Sequence, residues 1–65
     1  MKGTVKKWLD FKGFGFIKVE DQDDDVFVHH SSLANTSYLK KGQEVEFEIE
    51  ESHKGPRAVD VKILY

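Results

Sequence analysis

The sequence predicts an all-β fold, a small barrel or sandwich of five short strands. Three observations carry that expectation. Apolar residues recur at every second position in short runs, polar or glycine-containing turns separate the runs, and no helical period outlasts a single turn. The 65 residues make one domain, 1–65. A chain this short buries only about 60% of its unfolded surface, so its core must be thin.

Residues 2–9 form the first expected strand, with Val5, Trp8 and Leu9 among lysines, and Asp10 to Gly13 turn the chain into a second strand over residues 14–19. Residues 20–25 are wholly polar and mostly acidic, which reads as a solvated hairpin tip. Residues 26–30 form a short third strand, with Ser31 and Ser32 as N-cap candidates for one turn around Leu33 and Ala34. A loop at 35–37, a touch-down at Tyr38 and Leu39, and a turn at Lys40-Lys41-Gly42 lead to the fourth strand, residues 43–51. There Val45, Phe47 and Ile49 alternate with Glu44, Glu46, Glu48 and Glu50, the signature of a half-buried strand with an acidic outer face. Residues 52–56 turn, and residues 57–64 close the chain with Ala58, Val59, Val61 and Ile63.

Successive side chains of a strand point to opposite faces. The fourth and fifth strands therefore offer Val45, Phe47, Ile49, Val59, Val61 and Ile63 to the interior. In the third strand either Val26 and Val28 or Phe27 and His29 point inward. A buried His29 needs a partner for each ring nitrogen, which favours the valines. In the second strand, burying Phe16 would bury the Lys18 ammonium with it, so Ile17 and Val19 belong inside. Phe14, Phe16, Phe27 and His29 are thereby turned outward together, and a patch of that kind marks a binding surface.

Composition narrows the partner. The net charge of -2 does not by itself suggest nucleic acid, but it is unevenly spread, and the local field is what steers a ligand. Lys6, Lys7, Lys12, Lys18 and Arg57 accompany the aromatics, while the acidic residues gather at 20–25 and on the fourth strand. No apolar run approaches the roughly 20 residues of a membrane span. With no cysteine and no leader pattern, a cytoplasmic, reducing setting is expected. Asp21, Asp23 and Asp25 begin with calcium-loop spacing, but Val26 stands where that loop needs glycine and Ser32 where it needs glutamate. Adjacent histidines on one strand point apart, so His29, His30 and His53 are not expected to hold a metal. The serines have no base and orienting acid at useful spacing, so no catalytic residue, cofactor or enzyme activity is expected.

Rings held on a sheet accept the flat faces of unpaired bases, and each stack is worth about 1–3 kcal/mol with little regard to sequence. The expected ligand is single-stranded nucleic acid. Lys12-Gly13-Phe14-Gly15-Phe16-Ile17 and Val26-Phe27-Val28-His29 resemble the first and second RNP motifs of the cold-shock domain family. Gly3-Thr4-Val5-Lys6, the serine pair, Gly42-Gln43 and Gly55-Pro56-Arg57-Ala58 follow in family order, so the resemblance spans the chain. It implies a five-stranded antiparallel OB-type barrel, monomeric, binding single-stranded RNA and DNA with low selectivity and acting as an RNA chaperone in the stress response. The alternatives are a protein-interaction barrel and a ribosome-associated translation factor of similar fold.

The chain departs from the family at Lys6-Lys7-Trp8-Leu9, where the family usually reads Lys-Trp-Phe-Asn. Lys7 falls in the tryptophan slot, whereas strict alternation from Val5 turns Trp8 outward as a stacking ring and Lys7 inward; a bulge reconciles the two. His30 takes a position often aromatic in the family, and Tyr38 is the candidate aromatic of the loop before Gly42.

Overall fold

The architecture follows from the alternation just described, and the computed structural model describes residues 1–20 and 25–64. The elements in chain order are β1 (Lys2–Leu9), β2 (Phe14–Val19), β3 (Asp25–His29), a 3-10 turn (His30–Ser32), β4 (Glu44–Ser52) and β5 (Gly55–Ile63). They close into a barrel in the order β1-β2-β3-β5-β4. The 20–25 loop falls largely outside the described residues, as does the candidate calcium spacing through Asp21 and Asp23.

The seam is mixed rather than wholly antiparallel. β3 pairs in parallel with β5 at Phe27–Arg57 and Val28–Ala58, because the chain crosses the barrel end before starting β4. The strand ends shift slightly from expectation. Ser52 still pairs with Gly55, so the β4–β5 turn narrows to His53 and Lys54, held by the Ser52 hydroxyl donating to the Gly55 carbonyl at 2.6 Å.

Val5, Ile17, Val19, Val26, Val28, Leu39, Val45, Phe47, Ala58 and Val61 form the buried core. The valine-inward assignment of β2 and β3 holds. On β5 the alternation fails. Two residues, Asp60 and Val61, oppose Phe47 where the register shifts between Glu46 and Glu48. Asp60 adopts φ 53, a left-handed conformation that aspartate tolerates better than most residues. This bulge sends Ala58 inward and puts Val59 opposite Glu48, on the outer side, so the expectation of Val59 in the core is corrected.

Candidate nucleic-acid interface

The outer face of β1, β2 and β3 is built in rows by strand register. Thr4, Lys18 and Asp25 form one row; Lys7, Phe16 and Phe27 the next; Leu9, Phe14 and His29 the third. Arg57 extends the middle row from β5. Phe14, Phe16 and Phe27 form one cluster. Their centroids lie 6.3 Å (Phe14–Phe16), 5.6 Å (Phe14–Phe27) and 6.1 Å (Phe16–Phe27) apart, edge-on or tilted. Each ring is half-buried by its neighbours and offers its remaining surface outward. Beneath them Ile17, Val26 and Val28 are almost fully buried, so the sheet under the rings is rigidly supported.

The departure at Lys6-Lys7-Trp8 resolves through a bulge in β1. Val5 pairs with Ile17 and Lys7 with Phe16, leaving Lys6 as the extra residue. Lys7 thus lands on the aromatic face, beside Phe16. Trp8 pairs with Gly15 on the inner side, half-buried and packed against the core, with its indole N–H donating to Asp10 at 3.3 Å. The expectation of Trp8 as a stacking ring is therefore revised: its ring backs the strand. Gly15 is the counterpart. A Cβ there would meet the Lys7 carbonyl at 2.2 Å and the Trp8 ring at 2.9 Å, so its missing side chain makes room inside the barrel rather than for a base.

His29 caps the 3-10 turn, a role the sequence suggested for the serines. Its Nδ1 accepts the Ser31 backbone N–H at 3.2 Å and lies 2.8 Å from the Ser31 hydroxyl. A ring accepting there carries its proton on Nε2, and its orientation is fixed. His30 leaves the strand at this turn, so the two rings stand 4.3 Å apart instead of pointing to opposite faces. A Cβ on Gly13, which has φ 72, would lie 2.6 Å from the His30 ring. Together with the His30 N–H to Gly13 carbonyl bond, this joins the β1–β2 turn to the end of the aromatic face. Among the described residues no group of three ligating side chains could hold a metal ion.

The cations divide into two kinds. Lys6 pairs with Asp25 at 3.0 Å and Arg57 pairs with Glu50. Both pairs lie at the surface, where such contacts are worth about 0–1 kcal/mol and yield readily to a phosphate. Lys7, Lys12 and Lys18 are exposed and make no ion pair with the described residues. Tyr38 is also exposed, in the connection after the 3-10 turn, and makes no ring contact with the cluster.

Two exposed side chains near this face were not singled out by the spacing, one in a groove at its rim and one in the adjoining turn. Lys41 lines a groove with Thr4, Lys6, Lys18 and Asp25. It is carried there by the Gly42 N–H to Val5 carbonyl bond, a long-range register with no local signal. Phe11 projects from the β1–β2 turn. Its signal was present, because an aromatic placed in a four-residue turn has no core to enter.

The comparisons agree with this geometry. The family model described as "'Cold-shock' DNA-binding domain" matches residues 1–64. The chain belongs to the cold-shock domain family. It is 48% identical over 65 residues to a cold shock-like protein of Aquifex aeolicus, covering 97% of this chain and 93% of that one. It is 51% identical over 63 residues to cold shock-like protein CspC of Buchnera aphidicola (94% and 91% covered) and 49% identical over 66 residues to CspC of Escherichia coli (98% and 96%). The solved structure of Drosophila Unr CSD456 superposes with a TM-score of 0.82 at 26% identity. That match covers 98% of this chain and 26% of the other, so this chain spans about a quarter of the length of that solved chain. Cold-shock domains bind nucleic acid, and this one carries the OB-type barrel of the family. No helix among the described residues is long and apolar enough to cross a membrane.

Proposed function

We propose that this cold-shock domain binds single-stranded RNA and DNA with low sequence selectivity by stacking bases on Phe14, Phe16, Phe27 and His29. His30 and Tyr38 flank the path, and Lys6, Lys7, Lys12, Lys18 and Arg57 contact phosphates. The observation that carries this reading is the direct pairing of Phe16 with Phe27 on the outside of a sheet whose inside is closed by valines. Rings so placed add little to the core, yet they meet a base already ordered, so stacking loses little conformational entropy. A duplex hides its base faces, so the platform selects melted strands. Capturing them keeps weak secondary structure from reforming, the action of an RNA chaperone. The reading is of one cytoplasmic domain, 1–65, acting as a monomer by binding, without catalysis.

Titrating labelled oligothymidylate and the matching duplex tests this by fluorescence anisotropy. Saturable binding to the single strand, with the duplex at least about tenfold weaker, is expected. Equal binding to both would remove stacking from the mechanism, and binding to neither would favour a protein partner. A hairpin bearing a fluorophore and quencher reads chaperone action, with the signal expected to rise on addition of protein.

A further inference from the structure

Phe11 is 87% exposed at the tip of the β1–β2 turn, far more than any ring of the cluster. The turn itself is firmly made: the Lys12 and Gly13 N–H groups both donate to the Leu9 carbonyl, at 3.0 and 2.8 Å. The indole N–H of Trp8 donates to Asp10, the residue before Phe11. A large ring held in solvent by an ordered turn contributes nothing to the core, and isolated cases need no explanation. This one is not isolated. Leu9 and Phe14, which pair at the base of the turn, belong to the last row of the aromatic face with His29. The His30 ring packs against Gly13 and carries the apolar surface on into the turn, two residues from Phe11. Lys12 stands between them, exposed.

We infer that Phe11 is an additional base-stacking position, which takes one nucleobase of a single strand beyond the one at Phe14 and His29, with Lys12 on the intervening phosphate. This rests on the stacking reading above and deepens it: the platform ends at the turn tip, not at the sheet edge. Because the ring touches no core residue, its replacement leaves folding intact, and the effect falls on the length of strand that is bound.

The test is a series of oligothymidylates from three to nine nucleotides, titrated against the wild type and Phe11→Ser. The shortest strands are expected to bind both proteins equally. Longer strands are expected to bind the wild type at least about fivefold more tightly than Phe11→Ser, the low end of one base stack. Phe11→Tyr should keep the wild-type length dependence, and Phe11→Leu, apolar but without a π face, should behave like Phe11→Ser. Equal affinity of wild type and Phe11→Ser at every length overturns the role of Phe11 while leaving the platform reading intact. So does an equal loss at every length, which would mark a disturbed platform. Sedimentation showing that Phe11→Ser abolishes a wild-type dimer, with no change in strand binding, would assign the ring to a second copy of the chain instead. Wild type that binds no strand of any length overturns both readings.

Discussion

The outer faces of β2–β3 and of β4 sit on the same barrel and cover the same core, yet they are built from opposite materials. Under both lies the same core, Ile17, Val19, Val26 and Val28 beneath β2 and β3, and Val45 and Phe47 beneath β4. Above β2 and β3 stand Phe14, Phe16, Phe27 and His29; above β4 stand Glu44, Glu46, Glu48 and Glu50, all exposed. The inward half of the alternation makes the fold, and the outward half is free to specify the partner. Carboxylates repel phosphates, so the acidic face disfavours nucleic acid, in keeping with the proposed strand path on the aromatic side. Arg57 marks the border, in register with Phe27 on one side and paired with Glu50 on the other.

This contrast can be broken or sharpened by substitution. Phe47 is 1% exposed beneath β4. Phe47→Ala should destabilise the protein by about 3–5 kcal/mol, read by urea or thermal unfolding. An outer ring should respond in the other assay: Phe16→Ala is expected to cost about 1–3 kcal/mol of oligothymidylate affinity. Lys7→Trp, which puts an indole beside Phe16, should strengthen binding by about 1 kcal/mol or more, with the stacking gain exceeding the loss of one phosphate contact. Salt should act modestly. With the five proposed cations on phosphates, log affinity falls with log salt at a slope of about -3.5, and a flat titration would remove the lysines from the interface. Glu48→Gln, on the acidic face, should change stability by no more than about 0.5 kcal/mol and leave affinity nearly unchanged.

Much of this contrast was legible in the sequence. The alternation at 43–51 fixed both faces of β4, and the cost of burying Lys18 or His29 was enough to turn the phenylalanines outward. What was not legible depends on pairing between strands. The extra residue at Lys6 exists only relative to β2, and it decides whether Lys7 or Trp8 joins the aromatic face. The bulge at Asp60 and Val61 likewise exists only relative to Phe47, and it exchanges Ala58 for Val59 in the core. Local signals give no register of this kind. The close approach of the two histidine rings has no local signal for a related reason. Alternation alone carries the third strand through His30, whereas the His29 side chain ends it by accepting the Ser31 N–H. Lys41 arrives through the contact of Gly42 with Val5, which are distant in sequence.

The central claim is that the phenylalanines of β2 and β3 form a ligand surface rather than part of the core. Phe27→Ala, assayed in one preparation for both urea unfolding and oligothymidylate binding, tests it most directly. The account predicts an affinity loss of about 1–3 kcal/mol with a stability loss near 1 kcal/mol, the worth of its ring–ring contacts. A stability loss of about 3–5 kcal/mol, with the affinity of the remaining folded protein unchanged, would place Phe27 in the core and contradict it.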